Sequence, residues 1–334
     1  MRSRALGALY GLAIGDALGM PTQSLPRSVI IARYGPLLRS FQPGPDGHPL
    51  AAGLPAGTVT DDTRQALLLA RLVADGAGVV DQAELGRRLL AWEDEMRARG
   101  SLDLLGPSTR RALAAVAAGA SLDEAGRAGT TNGAAMRIAP VGIATPARDL
   151  DLLVDRVVTA SKLTHNTSVA LAGAAAVAAA VSARLDGAPM PAVAEAAARA
   201  AALAAGRGHW VAAADVAARI RWTTGLTAGL GEHQLMDTVY RLVGTGLATQ
   251  ESVPAAFAVA AFSPDDPWRA CRIAASLGGD CDTIAAITGA ICGAGTGADA
   301  FPAAARATVT KVNDLELDGL AGRLLAVRAA SRQP

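Results

Sequence analysis

The segment Thr60-Asp61-Asp62-Thr63 places two consecutive carboxylates between two hydroxyls, directly before an apolar-periodic stretch that predicts a helix. Thr60 or Asp61 suits a helix cap and acidic residues favour the first turn, so capping is one interpretation. A second interpretation is chemical, because several oxygen donors within one turn are the ligands that Mg²⁺, Mn²⁺ or Ca²⁺ prefers. This segment alone leaves both open.

Residues 278–283 (Gly-Gly-Asp-Cys-Asp-Thr) repeat the arrangement, since flexible glycines and two carboxylates again precede an apolar helix. Two helix starts of this kind favour one shared site over two independent caps. Four carboxylates brought together repel one another unless cations neutralise them, so the two segments predict a centre with two metal ions. Cys281 has no neighbouring cysteine or base and is expected to be a buried structural thiol.

Two further segments carry polar groups suited to a ligand. Asn132-Gly133 favours a turn that leaves backbone N–H groups and the Asn132 amide available to an anionic or hydroxylated ligand, or else it is a simple connector. His165 precedes an alanine-rich helix, where it either donates to a ligand or caps the helix. The four histidines lack HExxH and His-x-His spacing, which argues against a zinc hydrolase.

The net charge and the cysteine content limit which binding partners and which cellular compartment are expected. The formal net charge is +1, from 31 basic and 30 acidic residues spread along the chain, so nothing indicates nucleic acid or an anionic membrane as partner. We therefore expect a small-molecule or protein-linked ligand. Three cysteines without CxxC spacing argue against a disulfide framework, and a cytoplasmic location is expected.

The elements that position these residues are predicted to be helices. Alanine and glycine dominate and aromatics supply only 3%, which favours closely packed small-residue helices without strands, in a single domain spanning 1–334. The apolar run 169–181 is too short to span a bilayer and is expected to be a buried helix. Glycines and prolines in 43–58 predict a mobile loop before the first acidic segment. Helices are predicted at about 3–18, 61–75, 81–98, 107–118, 149–162, 166–185, 191–206, 209–221, 232–245, 251–262, 267–276, 282–296 and 302–328, the last interrupted near Asn313.

Taken together, the dispersed motifs resemble the ADP-ribosylglycohydrolase family, which includes dinitrogenase reductase-activating glycohydrolase and the eukaryotic ADP-ribosylhydrolases. The resemblance covers nearly the whole chain and rests on segments 11–19, 60–63, 106–109, 132–137, 164–165, 251–256 and 278–283, in the family order. It implies an all-α fold, a compact orthogonal bundle of helices, and a binuclear Mg²⁺ or Mn²⁺ centre. It also implies hydrolysis of a glycosidic bond at the anomeric carbon of a ribose.

Site roles follow from this resemblance, residue by residue. The metal ligands would be Thr60, Asp61, Asp62, Asp280, Asp282 and Thr283. Asn132, Gly133 and His165 would face the substrate. Asp62 or Asp282 would orient or deprotonate the attacking water as the catalytic carboxylate, and His165 is one candidate to protonate the departing group.

Gln23 departs from the family pattern, because members active on ADP-ribosylated proteins resemble one another in carrying glutamate there. Glutamine is neutral and cannot act as a general base, so Gln23 is expected to orient a substrate hydroxyl or a water. The leading expectation is a metal-dependent hydrolase of an ADP-ribosylated protein or small molecule. The alternatives are a nucleosidase-like hydrolase of a simple N-riboside and a non-catalytic relative that binds ADP-ribose. Alanine-rich helices suit packing within a monomer or between subunits alike.

Overall fold

The fold is built from helices alone in the part of the chain that the computed structural model describes, residues 1–102 and 104–331. The predicted all-α class is confirmed. The first nine helices are α1 Arg2–Gly19, α2 Arg27–Tyr34, α3 Asp61–Asp75, α4 Gln82–Ala98, α5 Pro107–Ala117, α6 Leu122–Ala125, α7 Gly133–Met136, α8 Ala139–Ala144 and α9 Leu150–Ser161. The next nine are α10 Ser168–Leu185, α11 Met190–Ala205, α12 Val216–Leu226, α13 Glu232–Thr238, α14 Thr249–Phe262, α15 Pro267–Ala275, α16 Cys281–Thr296, α17 Ala303–Asn313 and α18 Leu317–Ala330. A π-helical turn, Val239–Val243, continues α13, and a 3-10 turn, Ala298–Ala300, follows α16.

Helices α1 and α16 form the centre of the bundle, and glycines set their distance. A Cβ atom added at Gly11 would lie 2.0 Å from the carbonyl oxygen of Gly289, and one added at Gly289 would lie 2.0 Å from that of Gly11. Real Cβ atoms do not approach so closely, so the backbones meet only because both positions lack a side chain. The contact brings the C-terminal end of α1 beside the N-terminal end of α16, where Gly19 meets Asp282.

Helix α10 is the apolar core helix that the run 169–181 predicted. Its mean hydropathy of 1.7 over 18 residues would suit a membrane span by composition and length, but 94% of the helix is buried inside the fold. It packs against α8, α11 and α16 through alanines, valines and leucines. This burial identifies it as the core helix of a folded domain.

Several elements differ from the sequence-based prediction. Helices α2, α6, α7 and α8 were missed. Helix α2 carries β-branched residues, α6 and α7 have only four residues each, and α8 contains Pro140 and Gly142. The helix predicted at 209–221 is wrong at its start. His209 is extended and bridges Thr167, and α12 begins only after Asp215, whose carboxylate caps Ala218 N.

Candidate active site

A cavity of about 250 Å³ opens where the two acidic segments meet. Eight of the predicted site residues line it: Gln23, Asp61, Asp62, Asn132, Gly133, Asp280, Asp282 and Thr283. The rest of the lining is Ser24, Leu50, Leu104, Leu105, Gly106, Pro107, Thr109, Arg110, Thr131, Met136 and Leu247. The cavity therefore has an acidic part formed by the starts of α3 and α16, and an apolar part formed by loop residues.

The start of α3 is held by Asp16, a residue of α1 that is fully buried. Its carboxylate accepts hydrogen bonds from the backbone N–H groups of Thr60 and Thr63, each at 3.0 Å, and from their hydroxyls at 2.8 and 2.5 Å. Burial raises the pKa of Asp16 to about 6, although the hydrogen bonds from both threonines oppose that rise. No role was assigned to Asp16 from the sequence. The feature that could have indicated one is that Asp16 is a single carboxylate within an otherwise apolar helix.

Asp62 of the first acidic segment contacts Thr283 of the second and is only 1% exposed. Its Oδ2 lies 3.2 Å from the hydroxyl oxygen of Thr60, whose shorter contact is with Asp16, and 3.3 Å from the hydroxyl oxygen of Thr283. Its Oδ1 is buried and accepts no hydrogen bond from any residue that the structure describes. Burial, followed by the charge of Asp282 and of the other carboxylates, raises the pKa of Asp62 well above its ordinary value. Such an oxygen needs a cation or a proton nearby.

The start of α16 depends on Gly279, whose φ of 72° is left-handed. A Cβ at this position would lie 2.3 Å from the carbonyl oxygen of Thr245. The same Thr245 oxygen accepts a hydrogen bond from Asp280 N at 2.7 Å, and Gly279 N donates to Leu25 O at 3.0 Å. The turn thus fixes Asp280 against two other loops.

Asn132 orients Asp280 from the opposite side. The Asn132 Nδ2 donates to Asp280 Oδ2 at 2.5 Å and to Ser252 Oγ at 3.0 Å, which uses both of its protons. Burial raises the pKa of Asp280 to about 6, against the hydrogen bonds from Asn132 and Thr283. Asn132 lines the cavity with its amide donors already engaged, so its predicted contact with substrate would run through the amide oxygen and stays a prediction.

His165 is fully buried and does not line the cavity. Its ring lies behind Gly133, where an added Cβ would approach His165 Cε1 to 2.9 Å. Its Nδ1 lies 2.8 Å from the Thr164 hydroxyl and its Nε2 lies 3.1 Å from the hydroxyl of Thr131, which does line the cavity. The structure thus places His165 one residue away from the cavity, and its predicted contact with substrate stays a prediction.

A chain of hydrogen bonds connects the Asp61 carboxylate to Thr164. Gln65 Nε2 donates to Asp61 Oδ2 at 2.7 Å, and Gln65 Oε1 accepts from Arg137 Nη1 at 3.0 Å. Arg137 Nη2 donates to the Thr164 hydroxyl at 2.6 Å. No role had been assigned to Gln65 or Arg137. Gln65 was detectable, since it lies one helical turn after Asp61.

Burial and the charge of Arg137 together determine the charge state of His165. Burial lowers the pKa of Arg137 to about 10, which still leaves the guanidinium charged at neutral pH. Burial, and then the Arg137 charge, lowers the pKa of His165 well below its ordinary value. His165 is therefore neutral near pH 7 and acts as a hydrogen-bonding group rather than as an acid.

The loop 43–58 is anchored to the site through His48. Its Nδ1 accepts hydrogen bonds from Leu50 N at 3.1 Å and Ala51 N at 2.9 Å, so the ring proton lies on Nε2, which donates to Gln23 O at 2.9 Å. This contact places Leu50 at the cavity wall. Gln23 lines the same cavity, and its buried Nε2 donates to no acceptor in the part of the chain that the structure describes.

Cys281 matches the prediction of a buried structural thiol. It is fully buried, and its Sγ lies 3.3 Å from the Thr22 hydroxyl. Burial raises the pKa of the thiol, which disfavours the reactive thiolate.

The donor set fits hard divalent cations. Carboxylate and hydroxyl oxygens are the ligands of Mg²⁺ and Mn²⁺, and the buried Asp62 Oδ1 accepts no hydrogen bond from the described residues. Within residues 1–102 and 104–331, however, no three His, Cys, Asp or Glu side chains are already grouped as a metal site. Thr60 lies behind the cavity lining with its hydroxyl toward Asp16 and Asp62. The six-residue ligand set therefore stays a prediction.

Comparison with known proteins gives consistent matches. A family model described as ADP-ribosylglycohydrolase matches residues 1–334. The uncharacterized protein YegU of Escherichia coli (strain K12) is 38% identical over 326 residues, which are 97% of each chain. The ADP-ribosyl-dinitrogen reductase glycohydrolase of Rhodospirillum rubrum is 32% identical over 167 residues, 50% of this chain and 52% of its own. A solved structure named ADP-ribosylglycohydrolase-related protein complex is 28% identical, has a TM-score of 0.71 and covers 98% of both chains.

Proposed function

This chain belongs to the ADP-ribosylglycohydrolase family, and from that premise we propose that it hydrolyses the glycosidic bond at C1′ of a ribose in a metal-dependent reaction. The leading substrate is an ADP-ribosylated protein or small molecule. Family membership supports the glycohydrolase activity. The observation that carries the metal dependence is the buried, unpartnered Asp62 Oδ1 among the carboxylates that line one cavity.

Six residues would hold two Mg²⁺ or Mn²⁺ ions. They are Thr60, Asp61, Asp62, Asp280, Asp282 and Thr283. When bound, the ions would supply the positive charge that neutralises the carboxylates and would make water more acidic than in bulk.

The carboxylates of the chain would perform the proton transfer. Water attacks C1′, the bond from C1′ to the leaving nitrogen or oxygen breaks, and Asp62 or Asp282 accepts the proton of the water. Positive charge that develops at C1′ is stabilised by the surrounding carboxylates. Solvent protonates the leaving group, because His165 is neutral and separated from the cavity by Thr131.

Other residues position these groups. Asn132 donates a hydrogen bond to Asp280, and Gln65 donates one to Asp61. These two carboxylates therefore each have a side-chain partner that orients them. Gln23 lines the cavity, and its buried Nε2 has no acceptor among the described residues, so this donor would orient a substrate hydroxyl.

A simple N-riboside is the second candidate substrate, favoured by the charge of the cavity. Among the described residues that line it, Arg110 alone is a Lys or Arg. Its Nη2 donates to Leu105 O at 2.9 Å and its Nε lies 3.5 Å from Glu93 Oε1. A pyrophosphate would therefore compete with existing partners for the one guanidinium, whereas an uncharged riboside would not.

The test is incubation of the pure protein and Mg²⁺ or Mn²⁺ with ADP-ribosyl-arginine, an ADP-ribosyl-serine peptide, O-acetyl-ADP-ribose and common nucleosides. Products are read by mass spectrometry. Asp61→Ala removes a predicted ligand, and Asp75→Ala is the matched control, since Asp75 ends the same helix and pairs with Arg323 on the surface.

Free ADP-ribose from the wild type and Asp75→Ala, but not from Asp61→Ala, supports the leading proposal. Free base and ribose with the same pattern favour the N-riboside. Binding of ADP-ribose without any turnover, in protein that holds metal, would instead support a non-catalytic relative and overturn the hydrolase.

A further inference from the structure

A second cavity, of about 470 Å³, lies between α3, α4 and residues 313–316, which are the end of α17 and its connector to α18. It shares no lining residue with the candidate active site. Its lining is Arg64, Leu67, Leu68, Arg71, Arg88, Ala91, Trp92, Glu95, Met96, Arg99, Asn313, Asp314, Leu315 and Glu316. Four arginines and one tryptophan around a cavity form a combination that the hydrolase mechanism does not use.

The arginines differ in how far their charges are already satisfied. Arg88 pairs with Glu84 at 2.6 Å, and Arg99 pairs with Glu95. Arg71 makes no hydrogen bond or ion pair with any other residue that the structure describes. Two ion-paired guanidiniums and one without a partner thus line a single cavity.

Arg64 is a half-buried member of the group. One of its nitrogens, Nη1, donates to Asn313 O at 3.1 Å. Burial lowers the pKa of Arg64. The charges of Asp16 and Glu95 oppose this shift, and those of Arg99 and Arg71 add to it. Like charges that face one another in this way are stabilised by a shared anion.

The remaining lining suits a flat apolar group. Leu67, Leu68 and Leu315 are buried beneath the cavity, and Trp92 contributes an indole ring. The Trp92 Nε1 is buried and donates to no acceptor among the described residues, which is uncommon for a tryptophan. A ring with hydrogen-bond acceptors at its edge would stack on the indole or satisfy this donor.

We propose that this cavity binds a nucleotide, with its phosphates between Arg64 and Arg71 and its base against Trp92. A guanidinium matches phosphate through paired N–H donors, and an aromatic ring binds a base by stacking. The carboxylates of Asp314 and Glu316 line the connector side, where they accept hydrogen bonds from sugar hydroxyls.

The experiment measures binding of ATP by calorimetry in EDTA, so that a metal-dependent active site does not contribute. Adenosine and inorganic tripolyphosphate are the comparison ligands. Arg71→Ala removes the unpartnered charge. Arg87→Ala is the matched control, because Arg87 is an exposed arginine of α4 outside this cavity, paired with Glu84. Trp92→Phe removes the free indole donor and any fluorescence change that arises from Trp92.

We expect ATP to bind at one site and adenosine not to bind there. The affinity for ATP should be about tenfold weaker in Arg71→Ala and unchanged in Arg87→Ala. ATP should bind tighter than tripolyphosphate and should quench fluorescence in the wild type but not in Trp92→Phe. Absence of ATP binding would overturn the proposal. Equal losses of ATP affinity in Arg71→Ala and Arg87→Ala would also overturn it, because they would indicate unspecific electrostatic attraction. Equal affinities for ATP and tripolyphosphate would overturn it too, because the base would then contribute nothing.

Discussion

Asp16 holds Thr60 by both its backbone and its side chain, since one carboxylate accepts hydrogen bonds from the Thr60 N–H at 3.0 Å and from its hydroxyl at 2.8 Å. The first helix of the chain thereby sets the start of α3, which carries Asp61 and Asp62. The first acidic segment is thus positioned by a residue from outside it.

Asp16→Asn should destabilise the protein by about 1–3 kcal/mol, because an asparagine has one acceptor oxygen and would leave a buried N–H of Thr60 or Thr63 without a partner. It should also weaken Mn²⁺ binding by displacing the start of α3. Urea unfolding and a Mn²⁺ titration measure the two effects, with Asp75→Asn as control. A variant with wild-type values in both measurements would show that the Asp16 contacts do not support the site.

Metal should stabilise the folded protein. At a free concentration of about 100 times Kd, a ligand that binds only the native state adds about 2.7 kcal/mol, so Mg²⁺ or Mn²⁺ should raise Tm by several degrees. Asp62→Asn removes the charge of the unpartnered carboxylate and should abolish most of this rise. Differential scanning calorimetry with EDTA as reference gives the comparison. An equal rise in Asp62→Asn would exclude Asp62 as a ligand.

The metal-free protein should lose stability through Asp280 as the pH rises. The folded protein keeps the Asp280 proton up to about pH 6, whereas the ordinary pKa of 3.8 applies when it is unfolded. Between these values the folded state binds more protons, so stability falls with rising pH, by about 3 kcal/mol in total for this group. Relative to Asp280→Asn, the wild type should lose this amount between about pH 4 and pH 6 in EDTA. Parallel pH profiles for the two proteins would contradict the raised pKa.

Gly11→Ala should destabilise the protein by about 1–3 kcal/mol or more, because the new methyl group would meet the Gly289 backbone and force α1 away from α16. Gly322→Ala is the matched control. It lies within α18 with open space around its Cβ, and the change should stabilise by about 0.5–1 kcal/mol. Chemical denaturation of the two variants tests this difference in sign. A harmless Gly11→Ala would mean that the two helices can separate.

Local signals predicted part of the fold well. Helix α3 was predicted at its observed bounds, 61–75, because a cap, acidic first-turn residues and apolar periodicity coincide there. Helix α7 carries no such signal, since its four residues, Gly133–Met136, are defined by contacts with other elements. The helix predicted at 232–245 changes to a π-helical turn at Val239, which no local pattern distinguishes from α-helix.

In the candidate site, too, local sequence patterns predicted some features and long-range contacts determine the others. The motifs identified Asp61, Asp62, Asp280 and Asp282, which do line one cavity. The supporting contacts could not be predicted, because they join distant parts of the chain. The position of His165 before a helix left a ligand contact and a cap both open, and the family resemblance favoured the substrate. Tertiary packing places its ring behind Gly133, which no local pattern indicates.

The close contact of α1 with α16 has a consequence for synthesis of the protein. Asp16 and the acidic segment of α3 leave the ribosome early, whereas Asp280, Asp282 and the α16 glycines follow near the end of translation. The glycine face of α1 therefore has no partner until most of the chain has been made, and contacts of such long sequence separation form slowly. The apolar residues of α1 therefore lack their α16 partner through most of elongation, and transiently exposed apolar surface of this kind promotes aggregation.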